Sequence, residues 1–283
     1  MTAFPDVPPG VDPTRPSSVR VYDYFLGGTH NYPVDREVAE RLKATVPDTV
    51  DAMLANRGFH GRAARWIARQ GVRQFIDIGV GLPTRSNTHE AVRRVLPEAR
   101  VVYVDHDPMV AAYSGPLLAA DGTTTLVTAD WRDPGAVLGD PGLRRLIDPA
   151  HPAGVLMTTL PGFVPDEGDP WGLVARYMEA VAPGSYLALS HGTYDMIPPN
   201  MVLAGREALA NVAERVHLRS KAEVERFFDG LELVPPYTGS DGVMTYAGLW
   251  GAEDIEAADT EGSRGIYCGV AFRPDRRVPL EPR

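Results

Sequence analysis

The sequence predicts an α/β fold, a doubly wound and mostly parallel Rossmann-like sheet, from three observations. Five apolar strand-like runs alternate with helical patterns through short joins. The first run, Gln74–Ile78, breaks at once into Gly79-Val80-Gly81, and the second, residues 101–104, ends on Asp105, 24 residues past Gly81. A G-x-G turn after a strand lets the backbone take positive φ and lets a ligand approach the main chain. An acidic side chain about 20 residues on, at the tip of the neighbouring strand, is where ribose hydroxyls are gripped.

Composition sets outer limits. At 283 residues the chain holds one large α/β domain or a core with a smaller cap. A formal charge of −9 without a basic stripe argues against nucleic acid as a partner. The single cysteine, Cys268, excludes an internal disulfide, and the seven histidines show no H-E-x-x-H spacing, so no metal is expected. No apolar run approaches the roughly 18 residues of a membrane helix, and residues 1–16 lack the apolar core of a signal peptide. A cytoplasmic protein without membrane contact is the expectation.

In chain order, residues 1–16 carry five prolines and read as an extended or disordered arm. Ser17 or Ser18 caps a short helix stopped by Gly27-Gly28, and Thr29-His30-Asn31-Tyr32-Pro33 follows as a loop that either faces a ligand or simply turns. Residues 34–70 have helical spacing, divided by Pro47 and Gly58; with the preceding helix they form an N-terminal lid over residues 17–71. Arg57, Arg62, Arg65 and Arg69 read as a solvated face from which Arg57 or Arg62 could reach a ligand carboxylate. Residues 72–283 form the sheet domain.

Beyond the glycine turn, Asn87 and Glu90 make a capping pair, and Asp107-Pro108, Asp133-Pro134 and Asp169-Pro170 open helices in one style, an Asp cap before a first-turn proline. Strand three, residues 124–128, leads to Asp130-Trp131, an acceptor for an adenine amino group beside a ring that covers the base. Strand four, residues 154–160, ends on Leu160 and runs into P-G-F-V-P-D at the crevice where open sheets hold ligands. Strand five, residues 186–190, ends in His191-Gly192. An insert, residues 193–218, is expected to cap the substrate. Ser220 and Glu223 cap another helix, residues 231–234 and 267–272 supply the last strands, and the Gly- and acid-rich loop at 237–265 has no assignment.

The ligand follows from the residues flanking the glycines. A dinucleotide site wants G-x-G-x-x-G, but here Leu82, Pro83 and Thr84 follow Gly81, and Pro83 removes an N–H from any phosphate cradle. Asp77, two residues before Gly79, would repel a pyrophosphate and suit a cation. D-x-G-x-G resembles the first motif of class I S-adenosylmethionine methyltransferases. Over nearly its whole length the chain resembles the bacterial S-adenosyl methyltransferase family: R-P-S-S-V-R-V-Y-D-Y-F-L-G-G-T-H-N-Y-P-V-D-R (15–36), A-N-R-G-F (55–59), Q-F-I-D-I-G-V-G-L-P-T (74–84), V-V-Y-V-D-H-D-P (101–108), F-V-P-D (163–166), A-P-G-S-Y-L-A-L-S-H (182–191) and R-F-F-D-G-L-E-L-V (226–234) carry the similarity. The resemblance implies a class I methyltransferase fold with a helical N-terminal extension over the cofactor S-adenosyl-L-methionine. It adds Tyr22, Gly27, Gly28 and Asn31 to a cofactor-contact set of Asp77, Gly79, Gly81, Asp105, His106, Asp130, Trp131 and Leu160. It also implies a histidine just before F-V-P-D, where this chain has Gly162.

Methyl transfer from a sulfonium is a displacement that depends on alignment, so a base is optional. His191 and Tyr194 are the candidates for one, with Asp166 and His30 behind them. The expectation is a methyltransferase acting on a small-molecule acceptor. A non-catalytic S-adenosylmethionine-binding or sensing protein is the alternative, and a nicotinamide-dependent oxidoreductase is disfavoured by Pro83 and the absent third glycine.

Overall fold

Successive side chains on a strand point to opposite faces, and the five parallel strands divide their apolar residues accordingly. On one face lie Ile76, Ile78, Val102, Val104, Val155, Met157, Leu187 and Leu189; on the other lie Phe75, Val101, Tyr103, Leu156 and Ala188. Both faces are therefore buried, as a parallel sheet requires. The computed structural model describes residues 7–83, 87–118 and 122–275. The expectations for residues 1–6, for Thr84 and for the last eight residues lie outside that range.

Eight strands are present among the described residues: β1 (Gln74–Ile78), β2 (Arg100–Asp105), β3 (Thr124–Thr128), β4 (Gly154–Thr158), β5 (Tyr186–Gly192), β6 (Glu232–Leu233), β7 (Thr245–Tyr246) and β8 (Ile266–Phe272). Their order is β3-β2-β1-β4-β5-β8-β6, with β7 also on β8. The first five run parallel and β8 is antiparallel to β5. The winding reverses between β1 and β4, and that switch point is where open sheets form a crevice.

Three helices precede the sheet, α1 (Ser18–Phe25), α2 (Pro33–Thr45) and α3 (Thr49–Arg69). Gly58 does not divide α3, contrary to the sequence reading. Helical glycine costs only about 1 kcal/mol, and here its bareness makes room for Arg62, whose Nη1 would lie 2.7 Å from a Cβ. Arg62 in turn is no ligand arginine: it donates to the carbonyls of Ala247, Gly248 and Trp250, tying α3 to the loop that sequence left unassigned. That loop contains β7 and seats Trp250, 1% exposed, against Phe59 and Trp66. Residues 8–16, read as an extended or disordered arm, instead run in turns against the start of the helix after β2, with Gly10 beside Pro108 and Val11 beside Met109 and Val110.

The remaining helices are α4 (Thr88–Arg93), α5 (Pro108–Leu118), α6 (Pro134–Gly139), α7 (Pro141–Leu146), α8 (Pro170–Ala180), α9 (Pro199–Ala208), α10 (Lys221–Glu225) and α11 (Ile255–Ala258). The expected caps form: Asn87 with Glu90 and Ser220 with Glu223 are capping boxes, and Asp133 and Asp169 accept from Ala136 and Gly172 N–H. No helix among the described residues is long and apolar enough to cross a membrane.

Candidate active site

At the carboxyl end of β1 the chain turns through Gly79 and Gly81, both left-handed at φ +74° and +66°. A Cβ at Gly79 would stand 2.6 Å from Leu160 Cδ1, and one at Gly81 3.4 Å from Val19 Cγ2. The turn is thus closed in by the segment after β4 and by α1. Asp105 points at it, accepting from Gly81 N–H through Oδ2 and from Asp107 N–H through Oδ1, both at 2.9 Å. A carboxylate offers about four lone-pair sites, so both oxygens keep capacity for a ligand's donors. Burial raises the Asp105 pKa, opposed by those two N–H bonds.

Asp77 lies on the α3 face of β1, 2% exposed. Thr88 Oγ1 donates to its Oδ2 at 2.6 Å, His60 Nε2 lies 2.6 Å from Thr88 Oγ1, and His60 Nδ1 lies 3.1 Å from Thr158 Oγ1. With the Thr88 proton committed to Asp77, His60 donates from Nε2 and accepts the Thr158 hydroxyl at Nδ1. The ring is neutral, since burial and then the charge of Arg57 hold its pKa well below the ordinary range. This chain of contacts joins the ends of β1 and β4.

Burial also pushes Asp77 from 3.8 up to about 6. A native state that holds a proton more tightly than the unfolded chain loses stability as the pH climbs from about 4 to about 6, and the loss is complete above that window. Asp77→Asn is therefore expected to raise the melting temperature above pH 6, by at most about 3 kcal/mol of stability, and to leave it unchanged near pH 4. Thermal denaturation of both proteins across pH 4–8 checks this.

Asn56, one helical turn before His60, repeats the device. Its Oδ1 accepts from Ser190 Oγ at 2.6 Å and its Nδ2 donates to the Tyr22 hydroxyl at 2.9 Å, while Ser190 Oγ accepts from Thr159 N–H at 3.0 Å. Thr159 needs that support, because it is a non-glycine residue at φ +58°. Left-handed backbone at a β-substituted residue costs about 1–3 kcal/mol and persists where surroundings enforce it.

Above the carboxyl ends of β4 and β5 opens a cavity of about 710 Å³, within the range of small-molecule sites. Its walls come from α1, α2 and the start of α3, from Thr159, Gly162 and Phe163 after β4, and from the insert carrying α9. Val21, Phe25, Val38, Ala39 and Val212 form the apolar roof joining the N-terminal helices to the insert. Two polar links reinforce it: Ser18 Oγ donates to Glu214 at 2.7 Å, and Ala213 N–H donates to the Pro16 carbonyl at 3.1 Å. The insert is also pinned to the post-β4 segment, His217 N–H donating to the Gly162 carbonyl at 2.7 Å.

Of the residues singled out from sequence, Gly79, Gly81, Asp105 and Leu160 meet at the turn, with Asp77 beneath them. His106 is exposed at the tip of β2. At the tip of β3, Asp130 is held bidentately by Arg132, Nε donating to Oδ1 and Nη2 to Oδ2, and Trp131 is 5% exposed in the core, its carbonyl accepting from the Tyr177 hydroxyl at 2.7 Å. Tyr22 lines the cavity. Gly27, at φ +76°, and Gly28 close the end of α1; a Cβ on Gly28 would strike Asp23. Asn31 spends its amide on Asp23, Gly28 and Arg36 within the same loop, and His30 rests against Tyr113, ring centres 4.4 Å apart.

The expectation of a free base at the end of β5 is not met. His191 is 0% exposed, its Nδ1–H donating to the Gly192 carbonyl and its Nε2 accepting from Arg219 Nη1, both at 2.8 Å. Burial lowers its pKa to about 4. Tyr194 is exposed and bonded to Glu223 at 3.1 Å, outside the cavity wall, and Asp166 is an exposed partner of Arg219. Sequence reasoning passed over Asn56, His60, Thr159, His217 and Arg219. The polar pair Asn56 and His60, four residues apart on the face of α3 that also carries Phe59, Ala63 and Ile67, was the available signal.

Strand order, the antiparallel β8 and the glycine turn facing an acidic β2 tip define a Rossmann-like class I fold of the methyltransferase type. The chain belongs to the S-adenosyl methyltransferase family, whose profile matches residues 6–274. A DUF574 family protein from Streptomyces avermitilis is 38% identical, with TM-score 0.84, over 92% of this chain and 98% of that one. A candidate methyltransferase from Thermobifida fusca is 35% identical, with TM-score 0.86, over 97% and 100%. A search of the curated proteins finds no match. The family makes this chain an S-adenosylmethionine-dependent methyltransferase.

Proposed function

We propose that the chain binds S-adenosylmethionine at the glycine turn and transfers its methyl group to a small molecule seated in the roofed cavity. The observation that carries this reading is a shared wall. Thr159 lines the cavity while Leu160, the next residue, lies against Gly79; α1 presents Val19 to Gly81 and Val21 and Tyr22 to the cavity. The residues fit the cofactor, since Asp77 and Asp105 put acidic acceptors at the turn and Pro83 withholds an N–H that a phosphate would want.

Bound S-adenosylmethionine supplies an electrophilic methyl group. The protein supplies position: Asp105 and the glycines hold one reactant, the cavity holds the other, and the apolar roof covers it from one side. Such alignment is worth roughly 7–11 kcal/mol of barrier. A base is not required of an acceptor already deprotonated at its nucleophile.

Thermal denaturation with S-adenosylmethionine, S-adenosylhomocysteine and NAD tests the reading. At 100-fold above Kd, a ligand adds about 2.7 kcal/mol; both adenosyl compounds should raise the melting temperature and NAD should not. Failure of both adenosyl ligands would refute the assignment. The engaged His191 and Tyr194, and the bare Gly162 in the cavity wall, favour a second reading, a protein that binds the cofactor without transfer. Radiolabelled methyl appearing in cell-extract metabolites separates the two.

A further inference from the structure

The cavity is apolar for most of its surface, with Phe25, Met53, Phe163, Met201, Val202 and Leu209 among its lining. Methionines give such a wall adaptable shape. Two arginines of the insert, Arg206 and Arg215, also line it. Both are exposed, and neither forms a hydrogen bond or ion pair with the described residues. That sets them apart from Arg20, Arg62, Arg219 and Arg264, each held by carboxylates or carbonyls. Asp48 and Glu261 reach the same cavity from the α2–α3 corner and the turn before β8, yet no ion pair joins them to the arginines. The two carboxylates offset the two guanidinium groups in formal charge, but the guanidinium groups both belong to the insert and form no ion pair with the described residues, so their donors stay open to a ligand beside apolar surface.

We propose that the acceptor is an amphiphilic anion, an apolar body in the cavity with a carboxylate-like group held by Arg206 and Arg215. Guanidinium presents a planar fork of donors that matches such a group, and the bonds strengthen next to low-dielectric walls. The apolar lining supplies burial for the body, and the arginines supply orientation and a preference of sign. This inference rests on reading the cavity as the acceptor site.

Two fluorescent probes test it, 8-anilinonaphthalene-1-sulfonate and N-phenyl-1-naphthylamine, which share an arylamine body and differ by the sulfonate. The sulfonate probe is expected to bind about tenfold more tightly than the neutral one. R206Q/R215Q should remove that difference by weakening the sulfonate probe alone, and V202W, which fills the cavity, should weaken both. Equal affinities in the unsubstituted protein, no binding of either probe, a preference that survives R206Q/R215Q, or probes indifferent to V202W would each overturn the proposal. The S-adenosylmethionine shift, recorded on the same samples, separates the two readings. Its absence would remove the methyl-transfer assignment and leave the cavity's charge preference standing, whereas a normal shift with no charge preference would remove only the acceptor class.

Discussion

Asp105→Asn is expected to abolish the rise in melting temperature that S-adenosylmethionine gives the unsubstituted protein. The carboxylate already accepts from Gly81 and Asp107 N–H and keeps lone pairs directed along the turn. Hydrogen bonds to charged groups contribute about 1.5–3 kcal/mol each; the amide keeps one oxygen but loses the other acceptor together with the charge, so affinity should fall by at least about one to two powers of ten. The amide also sets its NH2 against one of the two backbone donors, loosening the turn itself. Isothermal titration gives the affinity directly, and an unchanged value would reject Asp105 as a ligand residue. A pH series adds a sign. Protonation converts the acceptor to a donor, and burial sets the Asp105 pKa above the ordinary carboxylate value, so affinity should fall on acidification earlier than an exposed aspartate would cause.

Arg219→Met is expected to be the most damaging single change to stability. Arg219 is 2% exposed, and Nη1 donates to the Pro161 carbonyl at 3.2 Å and to His191, while Nη2 donates to the Val164 carbonyl and to Asp166, both at 2.7 Å. Its guanidinium also lies 5.0 Å from the ring centre of Trp171. Methionine matches much of the volume and none of the donors. Three acceptors, the Pro161 and Val164 carbonyls and His191 Nε2, then lose their partner at about 1–3 kcal/mol each, which sums to about 3–9 kcal/mol with partial relief from water. Asp166 adds little, because its side chain is 58% exposed and an exposed charge rehydrates. Urea denaturation checks the size; a loss below about 1 kcal/mol would show that these contacts do not hold the post-β4 segment.

Local chemistry made much of this fold legible. Buried parallel strands read as short apolar runs, the glycine turn announced itself by residue type, and Asp-Pro pairs marked helix starts because cap and first-turn proline act within four residues. That Asp105 faces the glycine turn was legible because one helix joins two adjacent parallel strands and brings their carboxyl ends together over 24 residues. What escaped depends on partners far along the chain. Gly58 looked like a breaker until Arg62 was seen to need its space, and Arg62 looked solvated until the carbonyls at 247–250 arrived, some 185 residues later. His191 has the position of a base; only Arg219 and the Gly192 carbonyl show that its nitrogens are occupied. Trp131, expected over a ligand ring, packs in the core cluster from the turn after β3, where the Tyr177 hydroxyl from α8 holds its carbonyl. The lid, the segment after β4 and the insert were each expected beside the crevice, but which of their side chains share one cavity could not be read, since its walls come from residues 18–53, 159–218 and 261–266.

The link from Ser18 to Glu214 spans 196 residues. At a translation speed of 5–20 residues per second, α1 leaves the ribosome on the order of 10–40 s before the segment that covers it. During that interval Val21 and Phe25 have no finished ceiling to enter, and the nascent chain presents a sticky amphipathic stretch to whatever is nearby. Holding chaperones, or slow association with a neighbouring nascent chain, are the events to which biosynthesis of this protein is most exposed, and yield should respond to expression temperature far more than the strength of the finished sheet would suggest.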